Sequence, residues 1–457
     1  MIYIKRLTRL ISGLMMMTLL AGCASKSSKP AEPEVFEKQA GLYQLAEKYG
    51  FKVGANISHS LAGDGKYLNL MKEDFNTITA SNEFKAYSLL KQSACQEQNK
   101  PVMNYKAADT IARFAQANNI GIRGHVLVWD AYMPDWFFRE GFTRDGAFVD
   151  SDTMKERLRY YITEVVTHFE TNFPGVVYCW DVVNEAVADG SNEWIPGNPY
   201  HLRKTRGGVS NIFNDVIGED YVKFAFQCAR EVVNQVNPDI KLFYNDYNTF
   251  YPDKRAAIVN LVKDLNKDEK LCDGVGMQGY IGGYGSQNGC MNPGDLALIK
   301  DAIKTYSSLG VEVQLTEVAV RNYEGDDETM AKHAKFYGKL FQVIIDSRNE
   351  GQNFTAITIW GLCDNPFMER TDYSYKMNGP YCGLYNKYYA VKDSYKEVYK
   401  TLQYLFSSFF FGQSVVNRLP FFCRMLLFFL YRQLNLHSTP VLHPAKLVAQ
   451  TLSFLIS

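Results

Sequence analysis

Val176-Val177-Tyr178-Cys179-Trp180-Asp181-Val182-Val183-Asn184-Glu185 is an apolar run of β-branched and aromatic residues that stops on an amide and a carboxylate. Such a run reads as a buried strand whose polar end leaves the core. Seven more runs rich in strand formers occur at 51–55, 75–80, 121–129, 241–246, 274–280, 311–318 and 354–360. Helical stretches at 107–118, 153–171, 221–236, 255–265, 296–309 and 328–348 lie between them. Repeated strand-helix alternation favours parallel pairing, and eight strands are the number that closes a barrel. The expected fold class is α/β, a (β/α)8 TIM barrel built as one domain over residues 41–405. A doubly wound open sheet is the main rival. It usually carries a Gly-rich phosphate loop after its first strand, and this sequence has none there.

Several runs end in polar or aromatic residues: His125 and Trp129, Asn184 and Glu185, Asn245 and Asp246, Gln278, Glu317, Trp360. In a parallel barrel the C-terminal strand ends share one rim, so these residues converge on one pocket. Glu317 closes Val311-Glu312-Val313-Gln314-Leu315-Thr316-Glu317 much as Glu185 closes its own run. A carboxylate placed there is costly to bury unless it has partners or works in a cleft. Two of them meeting across a barrel mouth suit glycoside hydrolysis, in which one protonates the departing oxygen and the other attacks or activates water. For either Glu taken singly, a salt-bridged rim residue is the alternative. The flanking Trp, Asn, His and Gln favour the catalytic reading of the pair.

A hydrophobic share of 46% supports a large core and excludes disorder as the main theme. Lys+Arg and Asp+Glu number 49 each, and no basic excess marks a nucleic-acid binder. Three Lys/Arg fall in residues 1–22 and four in 406–457, segments without Asp or Glu, so residues 23–405 hold 42 basic against 49 acidic residues. That acidic balance suits a neutral or mildly acidic polysaccharide as partner and again argues against nucleic acid. The Cys are scattered without a C-x-x-C pair, so neither a zinc site nor an obligatory disulfide framework is expected, and no metal or organic cofactor is implied.

The two ends differ from the middle. Lys5, Arg6 and Arg9 precede an apolar stretch from Leu10 to Leu20, as in a secretory signal, and Leu20-Ala21-Gly22-Cys23 resembles a bacterial lipobox. Residues 1–22 are expected to be a lipoprotein signal peptide and Cys23 the lipidated N-terminus of an exported bacterial lipoprotein, anchored at the periplasmic face or cell surface. An ordinary N-terminal anchor helix is the alternative. Residues 23–40, rich in Ser, Lys, Pro and Glu, read as a flexible tether. Residues 406–457 carry nine of the 29 Phe, which fits either a membrane-associating helix or a non-native apolar extension, a liability on a soluble enzyme.

Gly124-His125-Val126-Leu127-Val128-Trp129, Trp180-Asp181-Val182-Val183-Asn184-Glu185-Ala186 and Leu315-Thr316-Glu317 resemble the signatures of glycoside hydrolase family 10, the retaining endo-1,4-β-xylanases. Ser81-Asn82-Glu83-Phe84-Lys85, Asn245-Asp246-Tyr247-Asn248 and Trp360-Gly361 with Asp364 extend the resemblance from about residue 40 to about 405. It implies Glu185 as acid/base and Glu317 as nucleophile, with a covalent glycosyl ester and carboxyls roughly 5–5.5 Å apart. The second carboxylate would keep the acid protonated until it is esterified. Asn184 would bind the sugar 2-hydroxyl, and Gln278 would orient Glu317 or that hydroxyl. Asn82, Lys85 and His125 would hold the glycone side, while Trp129 and Trp360 would wall the subsite. No cofactor is implied; the partner would be xylan or a xylo-oligosaccharide.

The chain departs from that family where Gln-x-His and a paired Asp are common. It has Gln278-Gly279-Tyr280, and Ala319 stands at the Asp position. Losing both members of a buried pair together is the tolerable way to lose it, and Gln278, or the Tyr280 hydroxyl, is then expected to hold Glu317. Asp130 and Tyr132 replace the common His and Gln after Trp129, and Phe367-Met368 stand for Ser-Trp. Long connections at 187–218 and 279–294 occupy the same rim, where loops commonly shape the cleft or remain mere surface. Another β-1,4-glycanase and a non-catalytic glycan-binding lipoprotein are the competing functions.

Overall fold

The computed structural model describes residues 36–365 and 378–403. The signal-like segment, Cys23, the tether up to residue 35, Phe367, Met368 and the apolar tail lie outside the described residues. Residues up to Gln39 form a unit of their own, and its described part, 36–39, has no regular secondary structure.

From Ala40 on, the strands are β1 (Lys52–Ile57), β2 (Thr77–Ala80), β3 (Gly121–Gly124), β4 (Val177–Asn184), β5 (Thr205–Arg206), β6 (Val209–Ser210), β7 (Lys241–Asp246), β8 (Gly274–Met277), β9 (Tyr280–Ile281), β10 (Glu312–Val320) and β11 (Phe354–Ile359). β1, β2, β3, β4, β7, β8, β10 and β11 pair in parallel in that order, and β11 returns to β1. The eight predicted runs are these eight strands, and they close the expected (β/α)8 barrel. β2 and β8 are buried at every position, because the barrel lumen covers one face and the helices the other. That is why small and apolar residues fill both faces of these strands, with no regular alternation to a charged outer face.

Two runs end differently from their sequence reading. Regular pairing of 121–129 stops at Gly124, where a Cβ would lie 2.3 Å from the Trp180 ring. Bonding resumes at Leu127 N and Val128 N, which donate to Asp181 O and Val182 O at 3.0 and 2.9 Å. The run 274–280 breaks at Gln278-Gly279, where Gly279 adopts φ +79°, and its last residue, Tyr280, forms β9 with Ile281 along the end of β10. The helix over 221–236 is found at Tyr221–Val236, burying Val222, Ala225, Phe226, Ala229, Val232 and Val233 at helical spacing. Those expected from 255 and 296 begin three residues earlier, at Pro252 and Pro293. Proline reads as a breaker, yet it fits the first turn, where its missing N–H has no intrahelical partner anyway. Among the described residues no helix is long and apolar enough to cross a membrane.

The lumen is not wholly apolar. Arg123, fully buried, donates through Nε to Asp181 Oδ2 at 3.1 Å and through Nη1 to Gln314 Oε1 at 2.7 Å, and its Nη2 closes a bidentate pair with Asp181. Burial works against the Arg123 charge, but the adjoining Asp181 carboxylate more than offsets it and holds the guanidinium above its ordinary value. Replacing Asp181 by alanine would strand that charge. A loss of about 3–5 kcal/mol is expected, read as a lower urea midpoint with an unchanged slope.

Candidate active site

Strand register decides which side chains reach the rim together. Asn184 pairs with Asn245 across β4 and β7, and Glu185 N donates to Asn245 O at 2.9 Å. Glu185 then turns out of the strand with φ +56°, an uncommon conformation for a non-glycine residue and one that recurs at functional sites. Across the mouth, Glu317 N donates to Gln278 O at 2.8 Å. Both carboxylates are buried, Glu185 to 7% and Glu317 to 6% exposure.

Three amide side chains join them. Gln278 Nε2 donates to Glu185 Oε1 at 2.8 Å and to Asn184 Oδ1 at 3.3 Å. Asn245 Nδ2 donates to Asn184 Oδ1 at 2.9 Å and to Glu317 Oε1 at 3.3 Å, while Asn245 Oδ1 accepts from Thr316 Oγ1 at 2.7 Å. The sequence reading gave Gln278 to Glu317 or to a sugar hydroxyl. Its main chain does face Glu317, but that leaves its side chain turned to β4, where it holds Glu185. The residue that holds Glu317 is Tyr280, whose hydroxyl donates to Oε2 at 2.5 Å. Burial and the Glu317 charge together push the Tyr280 phenol well above its ordinary range, so it stays a donor. Tyr280→Phe removes this bond to a charged acceptor, a contact worth about 1.5–3 kcal/mol. If Glu317 is the reacting carboxylate, the expected result is a fall in kcat of about tenfold or more with KM nearly constant, measured by initial rates on a glycan that the chain cleaves.

His125 Nδ1 lies 2.9 Å from Asp181 Oδ2, and its Nε2 lies 3.9 Å from Glu317 Oε1. The buried Arg123–Asp181 pair therefore holds the ring by Nδ1 and leaves Nε2 on the Glu317 side. Lys85 Nζ donates to Asn82 Oδ1 at 3.1 Å and stands over the Trp129 and Tyr132 rings at 5.2 and 5.1 Å. Trp360, 6% exposed, approaches His125 edge to face at 6.5 Å. All the sequence-predicted residues that are described thus sit at one end of the barrel, linked through contacts to each other. Asn184 Nδ2 and Trp129 Nε1 are buried and have no hydrogen-bond partner among the described residues. A buried donor left so costs about 1–3 kcal/mol, which a ligand hydroxyl would recover.

Residues that sequence reasoning missed complete the site. Arg203 Nε donates to Glu185 O at 3.1 Å and Arg206 Nη1 to Glu185 Oε2 at 2.8 Å. Arg206 also holds Asp130, through Nη2 at 2.7 Å and Nε at 3.1 Å. Burial opposes the Arg206 charge, yet the Asp130 hydrogen bonds and the nearby Glu185 hold it above its ordinary value. Below them Asp246 accepts from Lys254 Nζ at 2.8 Å. Burial pushes Asp246 up to about 6, with Lys254 opposing and the Glu185 charge adding. Asp181 and Arg123 were discoverable as charges inside neighbouring strands, each needing the other. Arg206 carried no signal, since it sits in a long connection without periodicity.

Comparison with known proteins matches residues 41–401 to Glycosyl hydrolase family 10. The chain is 33% identical over 352 residues to Endo-1,4-beta-xylanase B of Butyrivibrio fibrisolvens, covering 75% of this chain and 51% of that protein. It is 37% identical over 343 residues to Endo-1,4-beta-xylanase A of Thermotoga maritima, covering 73% of this chain and 28% of that one. It thus spans about half the length of the first relative and just over a quarter of the second. Among solved structures, the CBM22-1-GH10 modules of the Clostridium thermocellum xylanase 10B complexed with xylohexaose superpose with a TM-score of 0.67 at 27% identity, covering 79% of this chain and 67% of that one.

Proposed function

The chain belongs to glycosyl hydrolase family 10, and from that premise we propose that it is a retaining endo-1,4-β-xylanase with Glu185 as acid/base and Glu317 as nucleophile. The observation that carries the proposal is the pair of strand-end carboxylates joined through Gln278, Asn184 and Asn245. In the first step a Glu317 oxygen attacks the anomeric carbon while Glu185 passes its proton to the departing glycosidic oxygen. The C–O bond breaks and a glycosyl ester forms. In the second step Glu185, now a carboxylate, takes a proton from water, the water oxygen bonds to the anomeric carbon, and Glu317 leaves. Asn184 Nδ2 and Trp129 Nε1 offer donors to the bound sugar. Asn82, Lys85 and His125 hold its hydroxyls on the glycone side, and Trp129 and Trp360 wall the ring.

The test incubates the purified full chain with glucuronoxylan, carboxymethyl cellulose and mixed-linkage glucan, and resolves the products by chromatography. Internal cleavage of xylan with a ladder of xylo-oligosaccharides is the expected result. Cleavage of the glucans alone would point to another β-1,4-glycanase, and no cleavage of any would leave only a glycan-binding protein.

The lipobox-like Leu20-Ala21-Gly22-Cys23 supports the further reading that the protein is exported and held to a membrane by lipid on Cys23. Expressed in a bacterial host, it is expected to enter the detergent phase on Triton X-114 partition. The Cys23→Ser variant is expected in the aqueous phase, and detergent partition unchanged by the substitution would contradict a lipid anchor on Cys23.

A further inference from the structure

Arg206 comes from a hairpin and not from the barrel. β5 and β6 pair antiparallel around Gly207 and Gly208, both left-handed at φ +55° and +81°, the turn that two glycines permit. This sets Arg206 above the β4 end, where Nη1 reaches Glu185 Oε2 and Nη2 also contacts Glu185 O at 3.3 Å. Its side chain is 28% exposed, against 9% for Glu185 and 6% for Asp130.

A carboxyl working as an acid must carry a proton on one oxygen, whereas here both Glu185 oxygens accept hydrogen bonds. Oε1 takes the Gln278 amide, which is buried and also engaged with Asn184. Oε2 takes Arg206, the more exposed donor. Arg206 keeps two hydrogen bonds to Asp130 if its Nη1 lets go, so its charge is never stranded. Among the described residues, the charged and titratable groups around Glu185 are Asp130 beyond β3, Arg203 and Arg206 in the connection, Asp246 on β7 and Tyr280 on β9, while Glu317 on β10 is joined to it through Asn245, Asn184 and Gln278. Among the described residues, only Arg206 places a cationic nitrogen on a Glu185 carboxylate oxygen.

We propose that Arg206 is a positioning residue that steers the proton cycle of Glu185. It clamps Oε2 while Glu185 must be a carboxylate, and by falling back on Asp130 it frees Oε2 to carry the proton. The clamp favours the base half of the reaction over the acid half. This rests on the reading of Glu185 as acid/base.

The experiment measures Arg206→Met, Arg206→Lys and the paired variant Asp130→Asn with Arg206→Met, in which no partner charge is stranded. Two substrates are used: xylohexaose, whose leaving group needs a proton, and 2,4-dinitrophenyl β-xylobioside, whose leaving group does not. In both Met variants kcat/KM on xylohexaose, whose first step needs the Glu185 proton, is expected to change little, because Gln278 still holds Oε1. The kcat on the aryl substrate, whose second step needs the Glu185 carboxylate held in one geometry, is expected to fall about tenfold. Arg206→Lys should restore part of that loss. Equal losses on both substrates, or no loss on the aryl substrate, would overturn the proposal and mark Arg206 as a structural brace. Failure of the underlying reading looks different: Glu185→Ala would then hydrolyse xylohexaose as fast as the unmutated chain.

Discussion

Glu317→Ala is expected to lose xylan hydrolysis by a factor on the order of 10⁵, the scale on which removing a covalent nucleophile acts. Glu317 leaves β10 at the barrel mouth with Tyr280 on one oxygen and Asn245 on the other, so the carboxylate is aimed and not free to swing. Alanine removes the attacking atom and leaves the acid and the sugar-binding groups in place. The variant should still fold, since Glu317 is anchored through its main chain to Gln278 O and its side chain is not part of the Arg123–Asp181 pair. Azide supplies the diagnostic readout. A small anion entering the vacated space attacks an activated aryl β-xylobioside from the face Glu317 used, so the product is the α-glycosyl azide. Residual hydrolysis within tenfold of the unmutated chain would remove Glu317 from the reaction.

Glu185→Ala is expected to behave differently on two kinds of substrate. On xylan the loss should be about 10²–10⁴, the usual worth of a positioned general acid. On 2,4-dinitrophenyl β-xylobioside the first step needs no proton, so a burst of phenolate is expected, followed by slow turnover because no base activates water. Azide needs no base and should restore turnover, giving the β-glycosyl azide by attack on the glycosyl ester. Opposite azide anomers from the two variants assign the two roles independently of the size of either loss. A Glu185→Ala variant with no burst and equal losses on both substrates would contradict the assignment.

How much of this was written in the sequence varied with the kind of contact involved. The barrel was legible because its strands are buried on both faces and so are mostly apolar, and because the polar or aromatic residues ending several runs mark the rim. Glu185 and Glu317 stood out for the same reason. Partnership was harder to read. Gln278 and Tyr280 are two residues apart, and either one reaches Glu317 on paper. Gly279, turning at φ +79°, separates them, so that Gln278 serves Glu185 and Tyr280 serves Glu317. Asp130 stands out in the sequence only as a replacement for the family's His, because its partner, Arg206, lies 76 residues away in a connection with no strand or helix period. Long-range ion pairs made by loops leave no local signal, while those made inside strands, as by Arg123 and Asp181, leave a charge where none should be tolerated.

Two carboxylates acting in succession on one sugar, with a covalent glycosyl ester between them, leave their mark on the anomer first released. Proton NMR of xylohexaose hydrolysis, followed from the first seconds before mutarotation, reads it. The new reducing ends are expected first as the β-anomer, with the α-anomer growing in later as the sugars equilibrate. Reducing ends that appear first as the α-anomer would mean a single displacement by water, and Glu317 could not be a nucleophile.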